Sequence, residues 1–182
     1  MSSLIFETER LIVRPYVTGD ELNFFALNGN EEVVRYIRAA KTREECDEFL
    51  ATIIKDYAIH PLYGRWAVEE KQSRDFVGSF ALIPVEGLDQ MQLGYALLPG
   101  EWGKGYATEL TKAGLDYIFQ KTTIDPIYAY TEVPNTPSQK VLLKAGFQLY
   151  GNRLEGTKEL SGFCLHKKEW QATVNLNPLQ AN

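Results

Sequence analysis

The segment Pro99–Leu110, PGEWGKGYATEL, lies between an apolar run, LGYALL, and a stretch with helical periodicity. Gly103 and Gly105 stand one residue apart, with the small Ala107 two residues further on. Where a strand gives way to a helix, such a pattern clears side chains from the first helical turn and lets the backbone enter conformations that other residues avoid. The opening N–H groups of a helix have no acceptor within the helix, so this junction leaves them open to an approaching partner. No other feature constrains the fold as much, because it demands a strand running in, a helix running out and a clear approach between them.

The flanking sequence supplies both elements. RWAVEEK (65–71), DFVGSFALIPV (75–85) and QMQLGYALL (90–98) read as three successive strands separated by the turn-like QSRD and EGLD, an antiparallel meander that feeds the glycine turn. YATELTKAGLDYIFQK (106–121) carries Leu110, Ala113, Leu115, Tyr117 and Ile118 on one helical face. Upstream, RLIVRPY (10–16) reads as a first strand, and TGDE and TREE each set Thr three residues before Glu, predicting helices after Thr18 and Thr42. The second of these helices should stop near His60–Pro61. Downstream come a strand, IYAYTEV (127–133), a helix, SQKVLLKAGF, closed by Gly146, and two closing strands in FQLYGNRLE and SGFCLHKK. The pattern predicts a single α+β domain over residues 1–174, a mixed, mostly antiparallel sheet of about seven strands flanked by helices, and a frayed tail at 175–182.

Charge and cysteine usage narrow the function classes. A net charge of −5 opposes nucleic-acid binding, which rests on neutralising phosphates with Lys and Arg, and would more readily attract a cationic amine. Cys46 and Cys164 are far apart and form neither a disulfide framework nor a zinc pattern, so no metal is expected. The N-terminus lacks a basic region followed by an apolar stretch, and no run of ~20 apolar residues occurs, which points to a soluble, cytoplasmic protein without a membrane partner. The sequence leaves monomer and homodimer equally open.

Three chemistries compete for the turn. A dinucleotide fingerprint requires a glycine where Thr108 stands and a βαβ unit where a meander is predicted. A nucleoside-triphosphate loop requires Lys after its last glycine, whereas Lys104 precedes Gly105. An anion seated on free helix N–H groups asks for nothing more than is present, and a purely geometric glycine turn is the remaining alternative.

EWGKGYATEL, together with VPNTPSQKVLLKAGF about 25 residues later, resembles the acetyl-CoA-binding core of the Gcn5-related N-acetyltransferases (GNAT). Within that superfamily the similarity is to the ribosomal-protein N-terminal acetyltransferase-like branch. ETERLIVRP and GRWAVEEKQSRDFVGSFALI fit that branch as well, so the resemblance covers nearly the whole chain. Trp102 occupies the place where the general motif has Arg or Gln, a departure common in the branch. The resemblance implies a sheet splayed at the acetyl-CoA site and a pyrophosphate on the amides of Gly103, Lys104, Gly105, Tyr106, Ala107 and Thr108. It further implies a pantetheine arm paired with the backbone at Leu97 and Leu98. Lys104 would add charge near the phosphates or stay solvated. Asn135 would meet the pantetheine amides, although as a helix cap it has a sufficient structural reason of its own. Ser138, one turn into the same helix, would face the thioester.

The implied activity is acetyl transfer from acetyl-CoA to a primary amine, a protein α-amino group or a small amine, by direct attack in a ternary complex. Many relatives protonate the departing thiolate with a Tyr seven residues after the Asn; that position is Leu142 here, and Ser138 is the substitute. Glu132, alternating with Tyr128 and Tyr130 at a strand end, is the candidate base, with a solvated carboxylate as its alternative and Glu69 or Glu70 as others. His60 could line the acceptor pocket, His166 should be exposed, and no spacing recommends Cys164. The missing tyrosine leaves a non-catalytic acyl-CoA-binding module as the competing function.

Overall fold

The computed structural model describes residues 4–176. Eight strands, β1 (Phe6–Glu7), β2 (Leu11–Pro15), β3 (Gly64–Glu70), β4 (Phe76–Pro84), β5 (Met91–Leu97), β6 (Ile127–Glu132), β7 (Gln148–Glu155) and β8 (Lys158–Leu165), form one sheet in the order β1-β2-β3-β4-β5-β6-β8-β7. The helices are α1 (Glu21–Asn28), α2 (Glu31–Val34), α3 (Arg43–Asp56), α4 (Tyr106–Lys121), α5 (Thr136–Lys144) and α6 (Lys167–Leu176). All neighbouring strands run antiparallel except β5 and β6. The α+β meander expected from the sequence is therefore present. The extra strand is β1, too short to show a pattern, which pairs Phe6 with Val13. The expected tail begins inside α6, and residues 177–182 lie outside the described part of the chain.

The two predicted helix starts fare differently. At Thr42 the reciprocal box forms: the Thr42 hydroxyl accepts from the Glu45 N–H and the Glu45 carboxylate from the Thr42 N–H. At TGDE the box does not form, and α1 begins two residues later behind Asp20. Asp20 is drawn inward instead, accepting from the Val17 N–H and from both terminal nitrogens of Arg14 at 2.7 and 2.8 Å. Arg14 also donates from Nε to Glu69, so β2, β3 and the start of α1 share one buried ionic cluster. A buried charge without such partners is strongly destabilising, which is why the cap was sacrificed to the cluster.

The sheet has a different cover on each face. Trp66, Val68, Phe80, Leu82, Leu93, Leu97, Ile127 and Ala129 point toward α4 and α5 and build the main core with Leu110, Leu115, Ile118 and Leu142. Ala67 points the opposite way, into a smaller core with Tyr16, Phe24, Cys46, Leu50 and Ile53 under α1 and α3. The register carries that second face across the sheet through Ser79 and Ala81 on β4 to Gly94 and Ala96 on β5. It continues to Tyr128, whose partner Gln92 is the one point at which β5 and β6 are paired. Beyond it the two strands diverge, so the sheet opens between Gly94–Leu97 and Ala129–Glu132.

Candidate functional site

The glycine turn opens at the end of β5. Gly103 and Gly105 have φ of 76° and 84°, left-handed values that disfavour any residue with a side chain. Gly105 caps α4 with no side chain over the helix end, and a Cβ placed on Gly103 would meet nothing within 4 Å. Among the described residues the N–H groups of Gly103, Lys104, Gly105, Tyr106, Ala107 and Thr108 donate to no protein acceptor; the first helical bond here runs from the Glu109 N–H to the Gly105 carbonyl. A row of free amides at the positive end of a four-turn helix is a fitted seat for a pyrophosphate.

The turn is held from behind by a residue 94 positions away. Arg10, in the β1–β2 loop, donates from Nη1 to the Lys104 carbonyl at 3.0 Å and from Nε to Glu109 at 2.7 Å, with its guanidinium 4.6 Å from the centre of the Tyr106 ring. Glu109 also accepts from the Thr8 hydroxyl and the Arg10 N–H. Burial pushes the Glu109 carboxyl up, and the hydrogen bonds from Thr8 and Arg10 with the Arg10 charge more than reverse it. An acidic side chain in the first turn of an anion-seating helix is thereby neutralised. ETERL was legible as part of a resemblance, but nothing in its spacing pointed to this clamp.

Other residues of the turn have duties within the protein. Lys104 pairs with Glu101 at 3.0 Å. Trp102 is exposed, and its indole N–H donates to the Leu97 carbonyl at 2.8 Å. Leu98 donates its N–H to Val77 on β4 and accepts from the Glu101 N–H, so both its backbone groups are engaged. The backbone edge left for a ligand is accordingly that of Gly94–Leu97 without the Leu97 carbonyl, which Trp102 holds.

Across the opening, Asn135 caps α5, its Oδ1 accepting from the Ser138 N–H at 3.3 Å. Its side-chain NH2 has no partner among the described residues, so capping does not exhaust it. The Ser138 hydroxyl shares a hydrogen bond of 3.1 Å with the phenol of Tyr95 on β5. Tyr95 went unread in the sequence because it sits inside an apolar run. Burial pushes its phenol to about 12, the Ser138 hydrogen bond opposing, so it keeps its proton at neutral pH. Leu142 is buried in the main core.

The opposite face of the opening carries Tyr128, Tyr130 and Glu132. Glu132 is engaged by the Lys158 ammonium on β8. Tyr130 donates to Gln90 at 2.6 Å and lies beside the Tyr150 hydroxyl. Glu69 is buried against Arg14, and Glu70 turns back onto the N–H groups of Gln72 and Ser73, so neither faces the opening. His60 stacks on Tyr63, and His166 lies beside Asp125. Among the described residues no helix is long and apolar enough to cross a membrane.

Residues 10–148 match the acetyltransferase (GNAT) domain family. The uncharacterized N-acetyltransferase YoaA of Bacillus subtilis is 28% identical over 150 residues, covering 81% of this chain and 84% of that protein. A GNAT-family acetyltransferase from Bacillus anthracis superposes with a TM-score of 0.79 at 21% identity, over 91% of this chain and 99% of the other. The ribosomal-protein-S5-alanine acetyltransferase of Vibrio fischeri superposes with a TM-score of 0.74 at 19% identity, over 91% and 97% of the two chains. The chain belongs to the GNAT acetyltransferase family.

Proposed function

We propose that this protein transfers an acetyl group from acetyl-CoA to a primary amine, within a ternary complex. The observation that carries the reading is the opening between β5 and β6, with free amides of Gly103–Thr108 at one end and the Tyr95–Ser138 hydroxyl pair beside it. Pyrophosphate on those amides would draw the pantetheine arm along the Gly94–Leu97 edge, where Asn135 can donate to an amide carbonyl. The amine then approaches from the face that carries Tyr128 and Tyr130. Its nitrogen attacks the thioester carbon, the carbon–sulfur bond breaks, and the thiolate takes a proton from Ser138, which Tyr95 replenishes. The attacking nitrogen must shed a proton, and Glu132 can receive it once Lys158 is displaced; an α-amino group, with a pKa near ~8, needs less help than an alkyl amine near ~10.

Lack of the usual tyrosine does not favour a binding-only module, since Tyr95 brings a phenol to Ser138 from another strand. The acceptor is an amine of a small molecule or a protein N-terminus, the latter in keeping with the S5-alanine acetyltransferase among the structural neighbours. The test is a mass-resolved screen of amines and peptides with acetyl-CoA, alongside thermal unfolding. Acetyl-CoA should raise the unfolding temperature, and Gly105→Glu, which strains the left-handed position at the head of α4 and adds a negative charge beside Arg10 and the anion seat, should abolish the rise. An undiminished rise in a folded variant refutes the pyrophosphate seat; binding without turnover on any acceptor supports the binding module instead.

A further inference from the structure

Three cations gather without a carboxylate partner on the face of the sheet covered by α1–α3. Arg38 and Lys41, between α2 and α3, and Arg65 on β3 approach the ring of Phe49 in α3 with their charged groups 6.0, 5.5 and 5.2 Å from its centre. With Glu45 and Glu48 they line an open pocket of about 500 Å³. Among the described residues none of the three is ion-paired. Glu45 is committed to the Thr42 N–H, and Glu48 is exposed. Arg38 reaches Asn28, yet its Nε is buried with no acceptor. Burial lowers the pKa of Arg38, and burial together with the Arg38 charge lowers that of Arg65 against the opposing charge of Asp56. In a chain of net charge −5, half-buried like charges around one ring form a site that an anion would complete.

The pocket's place in the sheet says which anion. Arg65 is paired across to Ala81 on β4, and Ala81 to Gly94 on β5. Both are small, and a Cβ on Gly94 would meet nothing within 4 Å, so the floor between Arg65 and the β5–β6 opening is low. Two strand spacings, about 10 Å, separate the Arg65 backbone from that opening. The glycine turn and α4 lie on the other face, so the pocket is separate from the pyrophosphate seat.

We infer that this pocket binds a carboxylate of the acceptor, so that the preferred substrate is an α-amine followed within two or three residues by Asp or Glu. An extended chain covers about 3.3 Å per residue, which spans the floor in that number of residues. Polyamines, cationic along their length, are disfavoured by the same pocket. The inference rests on the acetyltransferase reading.

The experiment compares two hexapeptides, identical except that one begins Ala-Glu-Glu and the other Ala-Gln-Gln, with spermidine as the cationic probe. Wild type, Arg65→Gln and Lys41→Gln are assayed for kcat/KM, and for Kd by calorimetry at saturating CoA. Wild type should favour the acidic peptide by about tenfold or more, mainly in KM, the scale of a charge-assisted hydrogen bond. Each variant should cut that preference by about threefold or more while leaving the neutral peptide nearly unchanged. Equal use of the two peptides, a preference that survives both variants, or spermidine as the better acceptor overturns the proposal. Should no acceptor turn over, the acetyltransferase reading fails, and the Kd ratio of the two peptides still decides whether the pocket holds a carboxylate.

Discussion

Arg10→Ala should weaken acetyl-CoA binding, and adding Glu109→Gln should restore it. Glu109 lies three residues past Tyr106, an axial distance of about 4.5 Å, which puts its carboxylate roughly 8 Å from a phosphate seated on the first amides of α4. Two like charges at that separation repel by about 1 kcal/mol at an effective dielectric of about 40, and by about 2 kcal/mol at 20. The Arg10 side chain is 42% exposed, so the lower figure applies, and salt reduces it further. With roughly two charges on the pyrophosphate the loss comes to about 1.5 kcal/mol, or about tenfold in Kd. Titration calorimetry at low and high salt on wild type, both single variants and the double variant measures it, with unfolding temperatures as a control. Glu109→Gln alone should bind acetyl-CoA at least as tightly as wild type. If the double variant stays as weak as Arg10→Ala, or the loss ignores salt, Arg10 acts by shaping the turn through Lys104 and Tyr106, and the charge argument is refuted.

Tyr95→Phe and Ser138→Ala should each lower kcat by roughly 10²-fold or more with little change in acetyl-CoA Kd, and the double variant should be no worse than Ser138→Ala if the two hydroxyls act as one relay. Glu132→Gln should lower turnover on an alkyl amine more than on a peptide α-amine; a rate within about threefold of wild type on both, from pH ~6 to ~9.5, removes Glu132 as the base. Burial pushes the Asp20 carboxyl up, but hydrogen bonds from Arg14 and the Val17 N–H outweigh it and hold the folded value below the ordinary one. Its contribution to stability is therefore full above about pH 4 and lost as pH falls through the lowered value. Asp20→Ala should cost about 3 kcal/mol at neutral pH in denaturant unfolding and flatten the acid limb; an unchanged limb would show that other carboxylates dominate it.

What the sequence disclosed was whatever depends on neighbours along the chain. The Tyr106–Lys121 helix appears at its expected limits, because apolar spacing and a glycine start are local signals. The Thr42 box is equally local. Where a distant partner outbids the local one, reading fails: Asp20 leaves the cap pattern of TGDE because Arg14 lies beside it. The same limit hides Arg10 from Glu109, 99 residues away, and divides Arg38, Lys41 and Arg65 between the α2–α3 linker and β3. Tyr95 was obscured differently, since a phenol in an apolar run looks like core until a hydroxyl is found at its tip. The two-residue β1 and the four-residue α2 are too short for any periodicity to register.

An interior pair of strands that parts after one register point leaves backbone donors and acceptors facing empty space in the middle of a sheet rather than at its rim. Unpaired edges of this kind are templates for any extended chain that finds them, and sheet proteins ordinarily shield theirs at the periphery. Under the proposed function the cosubstrate fills the gap as a borrowed strand, so nucleotide-depleted protein would be the form most exposed to invasion by another polypeptide. Amide exchange along Gly94–Leu97 and Ala129–Glu132 should slow when acetyl-CoA is present, and preparations kept with CoA should resist aggregation for a reason unrelated to catalysis.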